Sequence, residues 1–108
     1  MSKHSYKNVN YYSATVSGSV STTPIDCYCM DNASFVMTFG SGITCNVAIE
    51  GSIDGSTFVD IGVIIEPVSG ASNRFSSFPI NLSYVRVSLS SVTGSGAVTI
   101  KAQAKGNS

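Results

Sequence analysis

Glu50, Asp54 and Asp60 lie close together in the sequence. Such a set could hold a hard cation, because Ca2+ is held by carboxylate and carbonyl oxygens. Asp54 is followed by Gly55, however, and the stretch IEGSIDGSTFVDI places this pair between two alternating segments. Asp-Gly in that position marks a hairpin with a type I′ turn, which needs positive φ at both central residues. The turn accounts for Asp54, and the spacing yields no ligand shell, so no metal is assigned. Cys27, Cys29 and Cys45 make an odd set, a poor framework for disulfides. A zinc site wants a second cysteine pair or a nearby histidine, and the single histidine is His4. On a strand Cys27 and Cys29 share a face, where thiols act as small core residues. No nucleophile has a positioned base. Gly94-Ser95-Gly96 lies between two strand patterns, not ahead of a helix, so it is no phosphate cradle. No catalytic residue and no cofactor is assigned, and the chain reads as a non-enzyme.

Aromatic and basic residues meet at Tyr6-Lys7, Tyr11-Tyr12, Arg74-Phe75 and Tyr84 near Arg86. A groove for single-stranded nucleic acid wants several such pairs and a basic balance. Six basic and six acidic residues cancel here, so nucleic acid is not an expected partner. Tyr and Arg are also enriched at protein interfaces. Tyr6, Tyr11, Tyr12, Arg74 and Phe75 are therefore the candidate contact residues. A sugar platform is the alternative use of such rings, though the chain has no Trp.

A chain of 108 residues makes one domain with room for a real core. Only 11% of it is charged, against roughly a quarter in ordinary soluble domains. A Ser/Thr/Gly-rich surface with so little charge is prone to associate. MSKHSYKNVNYY lacks the apolar stretch of a signal peptide, and no run approaches the ~18 apolar residues of a membrane span. These features lead us to expect a soluble protein made in a cytoplasm, with no membrane partner.

The elements read as short strands. Residues 1–12 form a polar, flexible N-terminal arm, 13–105 the folded domain and 106–108 a tail. Ile25 to Met30 reads as a short strand with Ile25, Cys27 and Cys29 on one face. Ala33, Phe35, Met37 and Phe39 alternate with polar residues, as do Ile43, Cys45, Val47 and Ile49, and Gly40-Ser41-Gly42 joins the two runs as a hairpin. Thr57 to Ile65 is a strand stopped by Pro67, Ser69 to Ser77 a loop carrying Arg74 and Phe75, and Phe78 to Asn81 a bend. Val85, Val87 and Leu89 alternate, Gly94-Ser95-Gly96 turns a last hairpin, and Val98, Ile100, Ala102 and Ala104 follow. Seven or eight such strands predict an all-β, two-sheet antiparallel β-sandwich, jelly-roll-like. The expected core is Phe35, Phe39, Val47, Ile49, Phe58, Val85, Val87, Val98 and Ile100. The strands carry few charges to protect their edges, so loops or another subunit must cover them.

The order IEGSIDGSTF, then SYVRVSLS, then GSGAVTIKA is similar to small β-sandwich virion structural proteins of tailed bacteriophages, over roughly Ala33 to Lys105. These include capsid decoration or cement proteins and neck or tail accessory proteins. The resemblance implies a virion location. It implies a decoration or cement subunit, a homo-oligomer such as a trimer, bound across junctions of the major capsid protein. A neck or tail accessory protein and a carbohydrate-binding module are the alternatives. In the last, Phe58 stands where a Trp is common, and the sugar would meet loops around Ser52–Phe58 and Ser69–Ser77.

Overall fold

A computed structural model describes residues 4–27, 30–65, 67–80 and 82–107, with backbone alone for 4–11, 64 and 107. Among the described residues ten strands run in chain order: β1 (His4–Val16), β2 (Val20–Ser21), β3 (Ile25–Asp26), β4 (Asn32–Phe39), β5 (Ile43–Ser52), β6 (Val59–Ile64), β7 (Val68–Ser69), β8 (Ser72–Pro79), β9 (Tyr84–Gly94) and β10 (Gly96–Asn107). The first sheet has the order β1-β10-β4-β8, and the second β2-β9-β5-β6. β3 joins β9 beyond β2, and β7 joins β5 beyond β6. Treating β2/β3 and β6/β7 as one interrupted strand each turns the ten elements into eight positions. All pairs are antiparallel, and four positions in each sheet give the jelly-roll sandwich that the alternation predicts.

Period-two patterning sets the core. Phe35, Met37 and Phe39 of β4 and Val98 and Ile100 of β10 face Ile43, Cys45, Ile49, Val85, Val87 and Leu89 of the other sheet, all buried. Phe35 also stacks on Phe78, with ring centroids 5.9 Å apart. Of the expected core, only Phe58 lies elsewhere: it is half-buried, beneath the Arg86 guanidinium at 4.0 Å. The gap between β2 and β3 is bridged by Thr22. Its backbone N–H donates to the Val87 carbonyl at 2.9 Å, and its hydroxyl accepts from the Val87 N–H at 3.0 Å. The ladder thus continues up to Pro24, which has no N–H to give.

Several local expectations are corrected. β4 and β5 do not pair; they belong to opposite sheets, as do β9 and β10. Gly40–Gly42 and Gly94–Gly96 are two corner crossings, held together by Gly40 N–H to Ala97 O at 2.8 Å and Ser95 N–H to Gly42 O at 3.1 Å. Alternation marks a buried face in both cases and leaves open which sheet the next strand joins. Residues 4–12, expected as a flexible arm, belong to β1, in register with β10 from His4↔Asn107. β1 and β10 therefore overrun the expected domain bounds of 13 and 105. The Ser69–Ser77 loop is largely strand β8, paired with β4 throughout. Its sequence hides it, because an edge strand turns Ser72, Arg74 and Ser76 inward where a central strand would place apolar residues. The expected strand over Ile25–Met30 shrinks to Ile25–Asp26. Cys27 lies after it, buried, with its thiol 3.6 Å from the Ile25 carbonyl. Cys29 lies outside the described residues.

Candidate functional site

The Asp54-Gly55 segment joins a real hairpin, since β5 and β6 pair, but the turn is not type I′. Gly55 has φ +82°, whereas Asp54 is not among the positive-φ residues, and residues 53–58 separate the strands. The loop is organised by side chains. Asp54 Oδ1 accepts from the Ser56 N–H at 2.9 Å, the Thr57 N–H at 3.0 Å and the Ser52 hydroxyl at 2.9 Å. Ser52 Oγ in turn accepts from the Gly55 N–H at 2.9 Å. Donors aimed at the charged carboxylate, Thr57 first, lower the Asp54 pKa to about 2. The other two carboxylates have partners of their own: Glu50 Oε1 meets Arg86 Nε at 2.8 Å, and Asp60 accepts from the Gly62 N–H at 2.8 Å. Among the described residues no group of three or more His, Cys, Asp or Glu could hold a metal ion. Burial pushes the Cys45 thiol pKa up, away from the reactive thiolate.

The loop folds back over the second sheet, where the Tyr84 ring comes within 3.2 Å of the place a Gly55 Cβ would take. Behind it Leu82 packs on Gly51, whose missing side chain leaves the space. Gly51, Ser52, Ile53, Asp54, Thr57, Val59 and Leu82 line a groove of about 280 Å3. Ile53 is 75% exposed and Val59 58%; Ile53 follows β5, and Val59 opens β6, the strand at the open edge of its sheet. Nothing in the sequence pattern marks this groove, because Leu82 falls in a stretch without alternation.

Of the predicted contact residues, the three whose side chains are described, Tyr12, Arg74 and Phe75, do not converge. Tyr6 and Tyr11 lie on β1, Tyr6 in register with Lys105 and Tyr11 in the irregularity between Asn10 and Tyr12. Tyr12 is half-buried and packs against the core. Arg74 sits on the core side of β8, opposite buried Met37. Its Nη2 donates to the Pro67 carbonyl of the facing layer at 3.2 Å, so it ties the two sheets together at their edge. Phe75 alternates to the outer face and is 70% exposed. It lies opposite Val36, itself 48% exposed.

That outer face has a second feature, a depression of about 150 Å3 lined by Asn32, Ser34, Ser77, Gln103 and Lys105. Ser34 and Ser77 hydrogen-bond across it at 3.1 Å. The strands of the first sheet, β1, β4, β8 and β10, contain His4, Lys7, Arg74, Lys101 and Lys105 and no Asp or Glu. Among the described residues the carboxylates fall on the second sheet and on loops, Asp31 being the one next to β4. A chain of zero net charge is thus divided into a basic sheet and an acidic remainder.

No protein-family model matches the chain, and no curated protein matches it by sequence. Solved structures share its fold. The SPBc2 prophage-derived protein YomS superposes with a TM-score of 0.70 at 13% identity, over 95% of both chains. A chain from Bacillus endospore appendages, described as a novel family of disulfide-linked pili, gives 0.56 at 14% identity, over 97% of this chain and 88% of that one. A chain of infectious bursal disease virus, Gx strain, gives 0.56 at 9% identity, over 97% of this chain and 32% of that one. The sequence resemblance to phage β-sandwich proteins is thus matched in three dimensions by a prophage-derived chain of nearly equal extent and by part of a viral one.

Proposed function

We propose that this chain is a non-enzymatic structural subunit of a phage virion, and that it acts as a capsid decoration or cement protein on the major capsid protein. The reading rests chiefly on the end-to-end likeness to a prophage-derived jelly roll. Likeness to chains of a virus and of pili, both built by repeated subunit contact, supports it. The surface supports it too. An open β6 edge beside a groove rimmed by exposed Ile53 and Val59 suits an extended segment of a neighbouring protein. Backbone pairing supplies affinity there, and the groove takes one side chain.

Purified protein mixed with undecorated particles should co-sediment with them. Val59→Asp and Ile53→Asp should weaken that binding about tenfold or more, the scale of a lost interface hot spot. A wild-type protein that stays monomeric by light scattering and does not bind particles overturns the proposal. Charged variants that bind as well as wild type overturn the docking edge.

A further inference from the structure

We propose that the outer face of the first sheet is a binding site for an acidic oligosaccharide, one that carries carboxylate sugars such as uronic or sialic acid. The register fixes the layout. One row across β10, β4 and β8 is Lys101, Val36 and Phe75; the next is Gln103, Ser34 and Ser77; the third is Lys105, Asn32 and Pro79. Rows on one face of a sheet stand about 7 Å apart and strands about 4.8 Å apart, so the patch has the dimensions of two or three linked sugar rings. Each row matches a part of such a ligand. Exposed Phe75, with Val36 beside it, offers a ring face to the apolar side of a pyranose. Gln103, Ser34 and Ser77 line the depression with the amide and hydroxyl groups that pair with sugar hydroxyls or an N-acetyl group. Lys101 and Lys105, exposed at either end, stand where carboxylates would lie, on strands without a single acidic residue.

Two observations meet here independently: a polar depression, and an exposed aromatic with its apolar neighbour on the adjoining row. The shallow depression implies weak binding by one copy and useful avidity from many. The site does not depend on the virion assignment, because it is complete in one chain.

The test is an NMR titration of the isolated protein with a hyaluronan tetrasaccharide, with neutral chitotetraose and a short oligothymidylate of equal charge as controls. Saturable shifts at Ser34, Val36, Phe75, Ser77, Gln103 and Lys105 are expected with the acidic sugar. Phe75→Ala should weaken binding about tenfold, the scale of one lost aromatic stacking face. Gln103→Ala should weaken it as well, and the spectra of both variants report directly whether they are folded. Equal binding of oligothymidylate, insensitive to Phe75→Ala, reduces the effect to general attraction of polyanions and overturns the site. Equal binding of chitotetraose overturns the role of the lysines. Absence of saturable shifts on this face overturns the proposal.

Discussion

The carboxylate of Asp54 accepts hydrogen bonds from the Thr57 and Ser56 amides and from the Ser52 hydroxyl, and its pKa falls from 3.8 to about 2. A folded-state pKa below the unfolded one means that ionised Asp54 stabilises the fold above pH 3.8, and that this contribution is lost as pH falls towards about 2. The group is exposed, so solvent screens the effect. Carbon-detected NMR should show the Asp54 carboxyl titrating near 2. Asp54→Asn should flatten the dependence of stability on pH below 3.8, and a wild-type midpoint at 3.8 would contradict the hydrogen-bonded loop. At this scale the sequence was informative about where the turn falls and poor at its type and at side-chain orientation. Asp54-Gly55 was legible because Asp and Gly have few other reasons to adjoin between strands. The inward turn of Arg74 and the outward place of Phe58 were not, since each depends on which neighbour supplies a carbonyl or a guanidinium.

Strands were legible where one face is apolar, as in β4, β5, β9 and β10, and illegible where an edge strand turns Ser and Arg inward, as in β8. Connections between strands were harder still. A short Gly-containing link reads as a hairpin, yet both links of this type cross between sheets. The reason is visible at the corner, where Gly94, at φ +71°, lies against the Gly42 carbonyl so closely that any side chain would strike it. Two segments of the chain, the start of β5 and the end of β9, pass there backbone to backbone. Gly94→Ala should therefore cost about 2 kcal/mol or more, from both the left-handed backbone and the clash. Gly18→Ala, with nothing within 4 Å of its Cβ, should change stability little. Urea denaturation of the two variants checks the difference, and equal midpoints would refute the corner.

The whole molecule is one sandwich with one core, 49 × 25 × 20 Å in extent. Phe35, fully buried and stacked on Phe78, touches the layer that both sheets share. Phe35→Ala should lower stability by about 3–5 kcal/mol, and unfolding should remain a single transition by circular dichroism and fluorescence. Two separated transitions would mean that the sheets do not share a core. The sequence by itself determined the class of fold, because period-two alternation buries one face of each strand and two packed sheets satisfy every such face. It also determined that the surface is sparsely charged and Ser/Thr-rich. Only the tertiary structure decided which strands are neighbours, because pairing is set by contacts between residues far apart in the chain. That decision changes the meaning of the composition. Six acids and six bases cancel in a count, but the topology gathers strands without a carboxylate into one sheet. A neutral sequence thereby acquires a sheet whose outer face shows exposed Lys101, Lys105 and Phe75, as charge depends on where side chains stand and not on their sum.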